Sequence, residues 1–146
     1  MFEKTRKDLL VALKSSEKLI TADNHDPKTI KIASIVPKSI GVYLWRSKTN
    51  NEIVYVGRAL GKGGLYQRII RQHLYDRYTK SVFRKQIAEE YGLNMTAESV
   101  AFLKDNFTFS FIIFDRNDEK IVSLIETILI NEYLPKYNRS GKYNID

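Results

Sequence analysis

The chain of 146 residues has the length of one domain, and its composition, 43% apolar and 28% charged, is that of a globular protein. It contains no cysteine, which excludes a disulfide scaffold, a thiol nucleophile and any cysteine-ligated metal centre, and which fits a reducing cytoplasm. Its longest apolar runs are far shorter than the roughly 20 residues of a membrane-spanning helix, and we see no secretory signal, so we expect a cytoplasmic protein with no membrane partner.

The first 38 residues predict a helical extension ahead of the main domain. Residues 1–20 carry leucines at helical spacing among charged side chains, which is typical of an amphipathic helix. The polar stretch 21–28 contains a proline and predicts a loop or linker. We therefore divide the chain into an extension, 1–38, and a domain, 39–146. The extension is also a candidate dimerisation element, although the sequence does not determine an oligomeric state.

The main domain begins with the pattern of a β-hairpin. Residues 40–45 and 53–56 are rich in β-branched and aromatic side chains and flank a polar stretch with turn chemistry. The next segment, 57–64, holds four glycines and predicts a flexible loop.

The rest of the domain alternates helical patterns with one strand. Residues 107–114 are almost entirely apolar and predict a central strand. The predicted helices are 65–74, 82–91, 96–103 and 118–133. This order predicts an α/β (α+β) fold in which helices cover a small, mostly antiparallel sheet.

Basic residues are concentrated in one segment of a chain whose net charge is +7. Residues 58–85 contain one acidic residue, Asp76, and eight basic ones, so the remainder of the chain is neutral. The eight are Arg58, Lys62, Arg68, Arg71, Arg77, Lys80, Arg84 and Lys85. This segment indicates a polyanionic partner, with Tyr66, Tyr75, Tyr78 and Phe83 available to stack on bases; the alternative is a solvated helical face.

Glu126 is the unusual residue of the closing helix. Its helical neighbours include Val122 and Leu129, so the carboxylate lies on an apolar flank. Such a carboxylate is costly unless it is paired or binds a cation. The residues alone leave two alternatives open, a structural ion pair and a metal ligand.

Four other side chains are candidates for chemistry. Tyr43 and Tyr55 lie on the hairpin, where tyrosines usually serve packing. Arg68 follows the glycine-rich segment and can hold a phosphate bidentately or face solvent. His73 is either a structural histidine or a general base.

The order of these residues resembles that of the GIY-YIG nuclease superfamily over about residues 40–140. The motifs that carry the resemblance are Gly41-Val42-Tyr43, Tyr55-Val56-Gly57, Arg68 with His73, and Glu126 with Pro135 and Asn138. The resemblance implies a three-stranded antiparallel sheet flanked by helices. It also implies metal-dependent hydrolysis of phosphodiester bonds, usually in DNA.

The resemblance also implies a role for each matching residue. Tyr43 would take a proton from the attacking water, and Tyr55 would orient water or phosphate. Arg68 would hold the scissile phosphate, and Asn138 would brace the site. Glu126 would be the single protein ligand of a divalent cation, Mg²⁺ or Mn²⁺, which moves metal ligation ahead of the ion pair for this residue.

His73 departs from the family pattern. Many members place a histidine four residues after the arginine, but His73 follows Arg68 by five. On an α-helix the extra residue rotates His73 by about 100° and puts Gln72 in the usual direction.

The sequence therefore predicts a metal-dependent endonuclease acting on DNA, with catalytic residues Tyr43, Tyr55, Arg68, His73, Glu126 and Asn138. The alternatives are a catalytically silent nucleic-acid-binding module and a nuclease of structured RNA. The predicted nucleic-acid contacts are Arg58, Lys62, Arg71, Arg77, Lys80, Arg84 and Lys85.

Overall fold

Three antiparallel strands form one sheet at the centre of the protein. The computed structural model describes residues 1–138, so the last eight residues of the predicted domain, 139–146, lie outside the described residues. The strands are β1 (Ile40–Ser47), β2 (Ile53–Ala59) and β3 (Phe107–Phe114), and they pair in the order β2-β1-β3. A three-stranded antiparallel sheet flanked by helices confirms the predicted fold class.

Within residues 1–138, helices cover both faces of this sheet. The α-helices are α1 (Glu3–Ile20), α2 (Gly64–Arg68), α3 (Val82–Tyr91), α4 (Ala97–Asn106) and α5 (Glu119–Tyr133). A π-helical turn, Ile69–His73, continues α2, and single 3₁₀ turns lie at Ile32–Ile35, Arg116–Asp118 and Lys136–Asn138. None of the helices in the described part of the chain combines the length and the apolar character that crossing a membrane demands.

The prediction that β3 is the central strand is wrong, because β1 lies between β2 and β3. The apolar run of β3 has another cause. Its side chains alternate between two cores, so that Phe109 packs on one face of the sheet and Ile112 and Phe114 pack on the other. An edge strand covered on both faces is as apolar as a central one.

Alternate residues of β1 point to opposite faces of the sheet, and each face has its own core. Tyr43 and Trp45 pack with the helical segment that follows β2 and with α3 and α4. Val42 and Leu44 pack on the opposite face with α1 and α5. Candidate residues on α2 and on α5 therefore reach the sheet from opposite sides.

Helix α1 forms as predicted, but of its leucines Leu19 alone faces the core, while Leu9, Leu10 and Leu13 are exposed. The buried residues are Ala12, Ser16 and Leu19. Leu9 and Leu10 are 41% and 62% exposed. Small side chains let α1 lie against α5, and the Ser16 hydroxyl is satisfied by the Ala12 carbonyl at 2.8 Å.

A buried arginine of β1 ties the N-terminal segment to the sheet. The Arg46 guanidinium donates to the Ile20 carbonyl at 2.7 Å, to Asn24 Oδ1 at 2.9 Å and to Ser110 Oγ at 3.2 Å. The predicted loop 21–28 also adds an antiparallel bridge to the outer edge of β3, where the His25 amide donates to the Phe109 carbonyl at 2.7 Å. The division of the chain into an extension, 1–38, and a domain, 39–146, stays a prediction.

The predicted loop 57–64 is partly strand, because β2 continues to Ala59. Gly57 lies directly opposite Tyr43 in the register of β1 and β2. A Cβ atom at Gly57 would lie 2.4 Å from Oη and Cζ of Tyr43. The glycine therefore serves close packing rather than flexibility: it gives the tyrosine ring room to cross the neighbouring strand.

Replacing Gly57→Ala is expected to displace the Tyr43 ring and to lower the free energy of unfolding by about 1–3 kcal/mol. Urea denaturation measures this change. Gly61→Ala is the matched control, because its Cβ would meet nothing within 4 Å in the described structure, and it should change stability by about 0.5 kcal/mol or less. Equal stabilities of the two variants would contradict this account of Gly57.

Candidate active site

Two tyrosines of the hairpin lie side by side on one face of the sheet. The Tyr43 side chain is buried, that of Tyr55 is partly exposed, and their ring centroids are 6.3 Å apart. Tyr55 stacks on Phe83 of α3, with centroids 5.0 Å apart. Burial raises the pKa of both phenols, that of Tyr43 well above 10, while the positive charge of Arg68 acts in the opposite direction. Both phenols are therefore neutral at neutral pH.

His73 faces Tyr43 because the helix changes type before it. The Leu74 amide donates to the Ile69 carbonyl at 3.0 Å, an i→i+5 bond that makes 69–73 a π-turn. Because a π-turn contains one residue more than an α-helical turn, His73, five residues after Arg68, takes the direction that a residue four positions after it has in an α-helix. The rotation expected for an ideal α-helix, with Gln72 taking the histidine's direction, therefore does not occur.

The imidazole of His73 bonds at both nitrogens. Nε2 lies 2.7 Å from Tyr43 Oη, and Nδ1 lies 2.7 Å from Ser81 Oγ. Burial lowers the pKa of His73 to about 3, and the charges of Arg68 and Arg84 contribute to the decrease. The histidine is therefore neutral across the physiological pH range.

Glu126 approaches the site from α5 on the other side of the sheet. Its side chain is 23% exposed, and Oε1 lies 3.6 Å from Nε of Arg58, whose Nη1 donates to Ser123 Oγ at 2.9 Å. Burial raises the pKa of the Glu126 carboxyl, while the charges of Arg58 and Arg68 lower it. The ion pair considered from the sequence is thus present, but it is long and half exposed, which makes it weak.

The charge of Arg68 reaches groups from both sides of the sheet. It lowers the pKa of Tyr43, of Tyr55 and of His73, and it also lowers the pKa of Glu126. Arg68 itself is exposed at the end of α2. One solvent-facing cation therefore acts on two phenols, an imidazole and a carboxylate, which is an arrangement able to receive a phosphate.

The carboxylate of Glu126 fits a hard divalent cation. Within residues 1–138 neither of its oxygens accepts a hydrogen bond, and no cluster of three or more His, Asp or Glu side chains is found there. Mg²⁺ is commonly held by one or two carboxylates together with waters and substrate oxygens. A partly buried carboxylate with free lone pairs is a suitable donor for such an ion.

Asn138 closes the free edge of β2. Its Nδ2 donates to the Val56 carbonyl at 2.8 Å, and the Val56 amide donates to Asn138 Oδ1 at 2.8 Å. This pair of bonds satisfies the backbone between Tyr55 and Gly57. Asn138 therefore fixes the strand that carries the second tyrosine, and its catalytic role stays a prediction.

Most of the predicted nucleic-acid contacts are exposed, but Arg84 is not. Arg84 is fully buried and donates to the carbonyls of Gln72, His73 and Tyr78 and to Ser99 Oγ. Its prediction as a nucleic-acid contact is wrong, because the guanidinium is used inside the fold. Phe83 likewise lies in the core and cannot stack on a base. The exposed members are Arg58, Lys62, Arg71, Arg77, Lys80 and Lys85.

Sequence reasoning missed Ser81 and the internal role of Arg84. Ser81 is the N-cap of α3, and its Oγ accepts the Arg84 amide at 3.2 Å. A serine before an apolar helix is a recognisable cap signal. The contact of that serine with His73 has no local signature, because it depends on how two helices pack.

Lowering the pH is expected to destabilise the protein through His73. The pKa is near 6.5 in the unfolded chain and about 3 in the fold. Both states are neutral above pH 6.5; below it the unfolded chain takes up a proton that the folded chain refuses, so stability is lost towards pH 3. Between pH 7 and pH 5 this loss is about 2 kcal/mol, measured by urea denaturation. His73→Gln should remove this part of the pH dependence, and an unchanged dependence would contradict the buried neutral state.

One known protein family and two solved structures are similar to this chain. The GIY-YIG catalytic domain family matches residues 39–138. Two crystal structures of the GIY-YIG N-terminal endonuclease domain of UvrC from Thermotoga maritima, both point mutants bound to the catalytic divalent cation, are similar to this chain at 23% and 24% identity. Each covers 75% of this chain and 93% of its own, with a TM-score of 0.45.

No curated protein matches the chain. The family match covers well over half of the sequence and includes Tyr43, Tyr55, Arg68 and Glu126. The chain therefore belongs to the GIY-YIG family of nuclease domains, a family of metal-dependent endonucleases.

Proposed function

We propose that this protein is a Mg²⁺-dependent endonuclease that hydrolyses phosphodiester bonds in DNA. The observation that carries the proposal is that Tyr43 lies beside Tyr55 and 2.7 Å from His73 Nε2, and that the charge of Arg68 acts on these groups and on Glu126. Phosphodiester hydrolysis requires an activated water, stabilisation of charge on the phosphate oxygens and a neutralised leaving oxygen. These side chains supply one group for each requirement.

Tyr43 takes the proton of the attacking water as its phenolate, after the phenol has released its own proton to solvent. A phenol is a poor base at neutral pH, and burial makes Tyr43 a weaker acid still. The positive charge of Arg68 favours the phenolate, and the phenol oxygen lies 2.7 Å from Nε2 of His73. Tyr55, beside it, orients the water or the phosphate.

Arg68 holds the scissile phosphate, and Glu126 holds the cation. The exposed guanidinium of Arg68 is free to form a bidentate contact with two phosphate oxygens. A divalent cation bound at Glu126 would neutralise charge on the phosphate and the leaving oxygen. Mg²⁺ or Mn²⁺ suits this site, since the one carboxylate is an oxygen donor and His73 is used inside the fold.

Arg58 is positioned to exchange one partner for another. Its ion pair with Glu126 is long, and the Arg58 side chain is 46% exposed, so releasing it costs about 0–1 kcal/mol. Glu126 would no longer need Arg58 as its partner if the carboxylate held a cation. The guanidinium of Arg58 is then available to a phosphate of the substrate.

Substituting the proposed catalytic residues should abolish cleavage of plasmid DNA in Mg²⁺. We expect Glu126→Gln, Arg68→Ala and Tyr43→Phe each to lower kcat by about 100-fold or more, because each removes a group that acts in the transition state. Chelation of the metal should abolish the activity of the wild type.

Glu132→Gln is the matched control, because Glu132 lies exposed on the same helix, and it should retain activity. Equal activity in all four variants would identify a contaminating nuclease. DNA binding without cleavage by the wild type would favour the silent binding module, and preferential cleavage of structured RNA would favour the RNA nuclease.

The exposed basic residues should dominate affinity for DNA. Arg77→Ala combined with Lys80→Ala should lower the slope of log K against log salt concentration by about 1.8, since each lost phosphate contact contributes about 0.9. Fluorescence anisotropy of a labelled duplex measures the slope. Lys4→Ala with Lys7→Ala is the control, because these lysines are exposed on α1 outside the basic segment. Equal effects of the two pairs would show that net charge, and not this surface, binds DNA.

A further inference from the structure

The buried hydroxyl of Ser81 forms a hydrogen bond with the imidazole of His73. Ser81 is 3% exposed, and its Oγ lies 2.7 Å from Nδ1 of His73 and 3.2 Å from the Arg84 amide nitrogen. The opposite ring nitrogen of His73, Nε2, lies 2.7 Å from Tyr43 Oη. A chain of hydrogen bonds thus runs from the start of α3 through His73 to the proposed catalytic phenol.

The direction of these bonds follows from the protons available. A serine hydroxyl has one proton to donate and two lone pairs. The Arg84 amide occupies one lone pair. Among residues 1–138, His73 Nδ1 is the one acceptor within hydrogen-bond range of Ser81 Oγ. A buried hydroxyl proton without an acceptor is unfavourable, so Ser81 donates to Nδ1.

Donation from Ser81 leaves the other nitrogen of His73 to carry its proton. The imidazole is neutral, because burial lowers its pKa to about 3, and a neutral imidazole has one N–H. With Nδ1 as the acceptor, that N–H is at Nε2 and points at the Tyr43 oxygen. The Tyr43 proton goes instead to the hydroxyl of Tyr55, and besides burial this hydrogen bond contributes to the raised pKa of Tyr43.

We propose that Ser81 fixes the tautomer of His73, so that the imidazole donates its Nε2–H to the phenol oxygen of Tyr43. Ser81 is then a positioning residue for the hydrolysis described above, and this consequence rests on the proposed function. An Nε2–H donor stabilises the Tyr43 phenolate more than the phenol, as hydrogen bonds to charged oxygens are the stronger ones. His73 is accordingly a donor to the base and does not itself receive the proton of water.

Arg84 holds the two ends of this contact together. Its amide bonds to Ser81 Oγ, and its guanidinium donates to the carbonyls of Gln72 and His73 at 2.8 and 2.7 Å. One buried residue thus links the first turn of α3 to the last residue of the π-turn. The distance between Ser81 and His73 is therefore set by the fold.

The tautomer can be read directly by NMR of the full chain labelled with ¹⁵N, at pH 7. In long-range ¹H–¹⁵N spectra of the wild type we expect His73 to show a bare Nδ1 and a protonated Nε2. His25→Asn assigns the signals, because the chain has two histidines. A protonated Nδ1 in the wild type would overturn the proposal, whether or not the protein cleaves DNA.

Two variants separate tautomer control from simple helix capping. Ser81→Thr keeps a hydroxyl and should keep the bare Nδ1, with kcat within about threefold of the wild type. Ser81→Asp keeps a cap but, when ionised, has no proton to give, so Nδ1 should become protonated and kcat should fall by about 10-fold or more with KM little changed. A bare Nδ1 in Ser81→Asp would count against the proposal.

Activity and tautomer can fail independently. A wild type with the expected tautomer and no cleavage of any nucleic acid would reject the proposed function and support the tautomer assignment. A cleaving wild type with a protonated Nδ1 would reject the role of Ser81 alone.

Discussion

The phenol oxygen of Tyr43 meets the imidazole of His73 across the backbone of Gly57, and much of the domain is arranged around this contact. The register of β1 and β2 places the tyrosine opposite a residue that has no side chain. The π-turn after α2 directs the histidine to the same point. A side chain at position 57 or an ordinary helical turn at 69–73 would each remove one half of the contact.

Burial sets the charge states around this contact. Tyr43 and His73 are both held neutral by their surroundings, whereas Arg68 carries its charge at the solvent-facing mouth of the site. A cationic rim over neutral acid–base groups suits the anionic substrate of the proposed function. The buried Ser81 and Arg84 keep the neutral groups aligned from behind.

The opposite face of the sheet positions the acid. Helix α5, which carries Glu126, packs on β1 and β2 and against α1, and the buried Arg46 fastens the end of α1 to the strands. The N-terminal extension therefore contributes to the core that supports the carboxylate, although the family match begins after it, at residue 39. The face that packs against α1 and α5 carries the carboxylate, and the opposite face carries the phenols. The two faces share the edge strand β2, whose backbone is bonded by Asn138.

Local patterns in the sequence were enough to predict the helix at 82–91, the strand at 107–114 and the fold class, because side-chain periodicity reports which faces are buried. The residue types and their order were also enough to single out Tyr43 and Glu126. Tertiary structure alone decided that His73 turns towards Tyr43 and that Arg84 is withdrawn from the surface. These features depend on a π-turn and on helix packing, and both arise from contacts between residues of separate elements, which periodicity along the chain does not record.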